Sequence, residues 1–595
     1  MVRFAGWQEE PLQKTLDWAL VSRLWPFLRP YARSLVLTLL LLGALFVVEL
    51  AGTFLLRFTF DGPIADAIAG RTVPPGEIWL IGGGYGVYVL LFAGLGYAYA
   101  IATAWTGQRV IRDVRTALFA HLMRLSPRFF DKNPAGKLVT RVTSDVENLN
   151  ELISTGLLQT LFDLVKIVGI LGFLFWIDWR LAAFTVLVTP LVAVISLFFR
   201  RYARDSYRKV RGRLARQNAF TGEMIGGMRT TRVFGQEDAV TAHYRELNRD
   251  TQQSWLLTVF HFSLFFSVMD VVIRLAQAGI LWLGASRIAG DTLTAGVFVQ
   301  FWMLFNKLSD PIRELGEKYN VLQSAFSSTE RIFQILDDRS LLAERSDART
   351  SAPGPARVRF EHVGFAYVAG YPVLQDASFT LEPGQCFAIV GPTGAGKSTL
   401  LGLLSRLMDP EQGRVLLDEV DLRDLTLASL RRRIAVVQQD VFLFTGTVLD
   451  NVRLFDPAIE EQRVEAALRT VGAWEFVQRL PGGLRAQVEE RGATFSQGER
   501  QLLAFARALA HDPDILVLDE ATANIDSQSE ARIQEALRVV LQGRTSLVVA
   551  HRLSTVRNAD RILVLQAGRI VEAGRHAELL AQNGLYARML RRLAG

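Results

Sequence analysis

Among 595 residues there is one cysteine, Cys386. A single thiol excludes an intrachain disulfide framework and leaves no cysteine set for structural zinc. Its setting, "CFAIV", reads as a buried strand. The first residues carry Glu9 and Glu10 and have no apolar core before Trp25, so neither a secretory signal nor a transit peptide is expected there. A strong charge imbalance is also missing. The net +7 is spread over arginines that cluster beside apolar runs, as membrane topology requires, and a nucleic-acid partner is not expected.

What is present is length and long apolar runs. A chain of 595 residues exceeds what one core usually holds, so at least two domains are expected. Up to about Leu308 apolar runs dominate, whereas from Arg357 onward the pattern is that of a soluble α/β domain. Six stretches are long enough to cross a bilayer: Ser34–Leu56, Ile78–Trp105, Thr155–Ile177, Leu181–Phe199, Val259–Leu283 and Leu293–Leu308. Ahead of them, Leu12, Leu16, Leu20 and Leu24 recur at helical spacing, as on a helix along the membrane or an ordinary packed one. Lysine and arginine concentrate before the first span, after the second (Arg109 to Arg141) and after the fourth (Arg200 to Arg216), which predicts both chain ends in the cytoplasm. The two basic connections keep helical periodicity, so the spanning helices are expected to continue past the lipid. Glu49, Asp163 with Lys166, and Asp270 with Arg274 fall within apolar runs. All are candidates for a substrate path; the alternatives are that the two pairs neutralise each other on one helix face, or that Asp163 and Lys166 lie near a helix end outside the hydrocarbon.

In the second half, "FAIVGPTGAGKSTLLGLL" has the form of a phosphate loop placed between a strand and a helix. Gly391, Gly394 and Gly396 let backbone N–H groups reach phosphates, with Thr393, Ala395 and Thr399 in the same run. Lys397 supplies a point charge, and Ser398 a hydroxyl for Mg²⁺. "DILVLDE" is an unalternating apolar run, as a parallel strand buried on both faces requires. Its acids emerge at the carboxyl end, where Asp519 is suited to Mg²⁺ and Glu520 to the attacking water. "TSLVVAHR" delivers His551 to the same edge.

Phosphate loop, Gln439 in "AVVQQDVFLF", the helix start "FSQGE", the DE strand, "ANID" and then the histidine follow in an order that resembles the ATP-binding cassette proteins. With six spans ahead of one cassette, the chain is similar to a half-transporter of the exporter type, and "FFDKNPAGKLVTRVTSDVENL" is similar to the first cytoplasmic loop of those exporters. The resemblance implies an all-α polytopic transmembrane domain followed by an α/β P-loop nucleotide-binding domain. The boundaries are then a segment 1–33, a six-helix domain 34–325, a linker 326–356 and a cassette 357–595. It also implies a dimer holding two ATP molecules, each between one chain's phosphate loop and the other's signature helix. Tyr367 matches the adenine-stacking aromatic. Gln439 matches the residue linking γ-phosphate and metal to the membrane helices, and Asp526 the aspartate that communicates across the dimer. Loops near Pro134 to Lys137 and Glu223 to Gly227 match the coupling helices.

The family's usual signature is Leu-Ser-Gly-Gly-Gln. Phe495, Gln497 and Glu499 depart from it, while Ser496 and Gly498 remain. Serine followed three residues later by glutamate is a capping box, favourable as local structure. As a γ-phosphate clamp it is unfavourable, because a carboxylate about 4 Å from a triphosphate is repelled by about 1–4 kcal/mol. Since a signature serves the opposite chain's site, the expectation is a heterodimer with one weakly hydrolytic site. The alternatives are a homodimeric exporter or lipid flippase, or an ATP-gated channel or regulatory subunit. The phenylalanine, leucine and tryptophan of the spans point to an amphipathic drug, lipid or peptide substrate. The expected location is a bacterial inner membrane, among its lipids. The linker from about Asp337 to Ala356, leading into "RTSAPGPAR", reads as a flexible joint.

Overall fold

The computed structural model describes residues 18–594 other than 153–155, 157, 343, 369, 520–526 and 551–552. The chain forms two units: one from residues up to 120 and 138–337, the other from 121–137 and 338 onward.

The first unit is helical. In chain order come α1 (Trp18–Leu28), α2 (Ala32–Thr59) and α3 (Pro75–Leu122). After the short α4 (Pro127–Lys132), which belongs to the second unit, follow α5 (Leu158–Ile177), α6 (Trp179–Gly226), α7 (Met228–Val233), α8 (Glu237–Ala289) and α9 (Ala295–Leu336). Among the described residues, four stretches, those containing α2, α3, α5 and α8, are long and apolar enough to cross a membrane. Of the remaining two expected spans, Leu181–Phe199 lies within α6, and Leu293–Leu308 lies on α9 from its start at Ala295. The 48 residues of α3 and α6 and the 53 of α8 extend about 70–80 Å, over twice a hydrocarbon core of about 30 Å. Sharp stops come from side-chain caps. Asp178 accepts from Arg180 N and Leu181 N at 3.0 Å each and opens α6, and Thr294 accepts from Val297 N at 3.3 Å to open α9.

α2 and α3 run antiparallel and close together. A Cβ on Gly52 would meet the Tyr88 ring at 2.5 Å, while one on Gly84 would lie 3.7 Å from Leu55 and one on Gly96 3.8 Å from Leu45. The charged residues of the apolar runs pair between helices. Glu49 on α2 accepts from Lys166 on α5 at 2.8 Å and from Lys307 on α9 at 2.7 Å. Asp163 pairs with Lys318. The expected neutralisation of Asp163 by Lys166 along one helix is therefore replaced by cross-helix pairs, because both side chains face neighbouring helices. Asp270 and Arg274 do pair on one helix, at 2.7 Å, with both side chains exposed. In the loop region, Asp145 is buried and accepts from Arg331 (2.5 Å and 3.1 Å), Arg141 (2.7 Å) and Ser328 (2.9 Å).

The second unit is a cassette of two main sheets, with a third of two short strands pairing Gly446–Thr447 with Gln487–Val488. β1 (Val358–Val368) and β2 (Tyr371–Leu381) join β4 (Gln412–Leu417) and β5 (Val420–Asp421) in an antiparallel sheet ordered β2-β1-β4-β5. The strands of the other main sheet are β3 (Cys386–Val390), β6 (Ile434–Val437), β7 (Ile515–Asp519), β8 (Thr545–Val549), β9 (Arg561–Gln566) and β10 (Arg569–Gly574). They are ordered β10-β9-β3-β8-β7-β6, parallel except at β10. Helices α10 (Lys397–Leu404) and α11 (Gln497–Ala510) pack on this sheet. Leu516, Leu518 and Val548 face one core with α11, while Ile515, Val517, Leu547 and Val549 face the other with α10 and the antiparallel sheet. Burial on both faces is the physical reason these strands show no polar alternation.

Residues 344–354, expected as a flexible joint, are fastened to the cassette. Glu344 accepts from Leu427 N at 2.5 Å, Arg349 N donates to Asp424 O at 2.8 Å, and Ser351 N donates to Ser429 Oγ at 3.1 Å. Buried Arg433 reaches Ser351 Oγ and Gly354 O while pairing with Asp418 and Asp514. The partners lie some eighty residues further along the chain, out of reach of local sequence reading.

Candidate functional site

The parallel register aligns the carboxyl ends of four strands. Val549 stands opposite Asp519 and Ile389, and Val437 opposite Leu518. The phosphate loop leaves β3 at this edge, and Gln439, exposed, follows β6 by two residues. Glu520, which follows β7 directly, His551, two residues past β8, and Asp526 lie outside the described residues.

Backbone freedom in the phosphate loop is required by packing as well as by any ligand. Gly396 has φ +100°, and a Cβ there would meet Leu374 at 2.8 Å; a Cβ on Gly391 would meet Leu565 O at 2.3 Å. Lys397 folds back, donating from Nζ to Gly391 O at 2.7 Å and Pro392 O at 3.1 Å. Burial draws its pKa below the ordinary lysine value, against a smaller opposing pull from Asp519. Ser398 Oγ donates to Asp519 Oδ2 at 3.0 Å. This hydroxyl–carboxylate pair is a hard-oxygen donor set of the kind that Mg²⁺ takes. Tyr367, at the end of β1, places its hydroxyl 3.3 Å from Thr399 Oγ1, and its ring meets Phe365 edge-on. Thr393, Gly394 and Ala395 complete the loop, Ala395 within the core. Cys386 opens β3, and burial pushes its thiol up to about 12, which leaves it inert.

The helix start is as the sequence predicts. Ser496 caps α11 in a capping box: Glu499 N donates to Ser496 Oγ at 3.3 Å, while Ser496 N and Oγ donate to Glu499 Oε2 at 2.8 Å and 2.9 Å. Phe495 is buried against Phe476 in the core, and Gly498 is buried. Two arginines escaped the sequence reading because only tertiary contacts single them out. Arg507 on α11 donates to Asn451 O and Phe442 O, pinning the segment that follows Gln439. Arg128 on α4 donates to Tyr367 O.

A helical membrane half joined to a two-sheet phosphate-loop domain with a serine-capped helix beside it defines a membrane-embedded nucleotide-driven transporter. Comparison with known proteins gives the family. Residues 33–312 match the ABC transporter transmembrane region and residues 374–523 the ABC transporter domain. A probable multidrug resistance ABC transporter ATP-binding/permease protein of Bacillus subtilis is 39% identical, covering 81% of this chain and 72% of its own. An ATP-dependent lipid A-core flippase of Desulfotalea psychrophila is 35% identical, covering 82% and 86%. A solved bacterial Atm1-family ABC exporter with ATP bound superposes with a TM-score of 0.77 at 27% identity, over 96% of this chain and 99% of that one. The chain belongs to the ABC transporters, and within them to the exporters that couple ATP hydrolysis to transport. Exporters of this kind work as dimers.

Proposed function

We propose that the protein is one half of a heterodimeric exporter moving amphipathic molecules, lipids or drugs, out of a bacterial cytoplasm, with both chain ends and the cassette on the cytoplasmic side of the inner membrane. The related multidrug and lipid flippase proteins support the substrate class. Orientation follows from the basic connections. The domain division is that of the sequence reading: 34–325 in the membrane and 357–595 the cassette.

In this reading Tyr367 stacks on adenine and the backbone of residues 391–399 cradles the phosphates. Lys397 leaves its carbonyl partners for the β- and γ-phosphates. Ser398 and Asp519, with Gln439, hold Mg²⁺, which neutralises phosphate charge when bound. Glu520 orients water, His551 contacts the γ-phosphate and Asp526 signals across the dimer. These three acids and bases serve a competent site that the partner's signature completes.

The observation carrying the heterodimer is the capping box. The Ser496 hydroxyl, which a signature would offer to the other chain's γ-phosphate, donates instead to Glu499. A carboxylate stands where that phosphate would approach. The helix that starts at residues 496–499 therefore closes a weakly hydrolytic site. Purification from native membrane tests this directly: a second, similar chain should accompany this one at equal stoichiometry. Vigorous ATPase activity of this chain alone would instead establish a homodimer with a variant signature.

A further inference from the structure

We propose that the pocket between α2 and α3 binds a single-chain amphiphile with a carboxylate headgroup. The proposal rests on the reading as an amphiphile exporter and names a substrate class for it. The pocket has a volume of about 670 Å³ and is walled by Val48, Phe54 and Phe58 of α2 and Val87, Tyr88 and Leu91 of α3. At about 30 Å³ per water-sized group, a methylene being comparable, it holds about twenty such groups. That is one long acyl chain, and too little for a lipid with several. The pocket is open along one side, on two helices that are each long and apolar enough to cross a membrane.

One charged pair borders it, Arg57 and Asp61, at the end of α2 remote from Arg23, Arg29 and Arg33. The two form an i,i+4 ion pair without a hydrogen bond between them. Asp61 accepts from Gly296 N at 2.7 Å and Thr294 Oγ1 at 2.9 Å, so its charge is directed at the start of α9, where a helix N-terminus stabilises an anion. Arg57 Nε stands 3.6 Å from Asp61, beyond hydrogen-bond length, with the side chain 37% exposed. Among the described residues the guanidinium makes no hydrogen bond. Its planar fork matches a carboxylate bidentately, and beside an apolar wall such donors gain most from an ionised acceptor. A dianionic phosphate fits less well, because one guanidinium faces two charges with Asp61 adjacent.

The test is photolabelling of the purified full-length transporter, with its natural partner chain if one accompanies it, in nanodiscs of zwitterionic lipid without nucleotide. The probe is a diazirine-bearing palmitate, read out by peptide mass spectrometry. Label is expected on α2 and α3, competed by palmitate but not by hexadecanol. Arg57→Gln should weaken competition about tenfold, the loss of one charge-assisted pair, and Arg57→Lys, which keeps the charge but loses the fork, should recover only part of it. Val87→Trp, which fills the pocket and leaves Arg57 in place, should abolish labelling. Label confined to other helices, equal competition by the alcohol, or labelling unchanged in both Arg57→Gln and Val87→Trp would overturn the proposal. Binding is read without ATP, so ATP-driven lipid export without Arg57-dependent labelling defeats the pocket alone. Labelling without export of any amphiphile defeats the export reading alone.

Discussion

At the scale of single residues, the capping box separates two effects of Glu499. Glutamine also completes such a box but carries no charge. Glu499→Gln should therefore leave the thermal stability of the cassette unchanged while raising ATP turnover at the site it closes, by about tenfold if repulsion of ~1.4 kcal/mol is removed. Nucleotide trapping in the two-chain complex reads this, and unchanged trapping counts against repulsion as the cause. Lys397 gives a pH prediction. Its pKa is drawn down by burial, whereas phosphates favour the ammonium. Nucleotide binding should thus take up protons at alkaline pH, and affinity should fall as pH rises above the depressed value. Calorimetry in two buffers of different ionisation heat measures the uptake, which Lys397→Met should eliminate; identical heats in both buffers would contradict it.

At the scale of elements, charge pairs hold the membrane half in register. Glu49 joins three helices through two lysines, so Glu49→Gln leaves two ammonium groups facing each other. A loss of about 3–5 kcal/mol is expected, as for breaking a buried pair, with partial recovery in Glu49→Gln combined with Lys307→Met. Melting in detergent checks both. Asp145 follows the same logic in the loop region between α3 and α5. Burial raises its pKa, but hydrogen bonds from Arg331, Arg141 and Ser328 outweigh this and leave it below the usual carboxylate range. Its stabilisation is present above the unfolded value and disappears as pH falls through the lowered folded one. Asp145→Asn should flatten this acid dependence of the melting temperature. These pairings also show where sequence reading stops. The long helices, the doubly buried strands and the Ser496 cap were legible because each is set by local periodicity or by residues three apart. Lys166 with Glu49 and Lys318 with Asp163 were not, since the choice of partner depends on how helices distant in sequence pack.

At the scale of the molecule, composition misled most at residues 344–354. Proline and glycine there suggest a loose tether, yet Arg433 and residues 424–429 hold the segment against the cassette. Brief trypsin treatment should therefore spare Arg345 and Arg349 in the native protein, and Arg433→Ala should expose both; prompt cutting of the unaltered chain would restore the tether. The phosphate loop, too, belongs to the architecture of the whole cassette. Gly391 lies against Leu565 in one sheet and Gly396 against Leu374 in the other, so the loop acts as a keystone between them. An alanine scan of these glycines, ordinarily interpreted as a map of ligand contacts, would here report whether the cassette assembles at all, and its first symptom would be chains missing from the membrane.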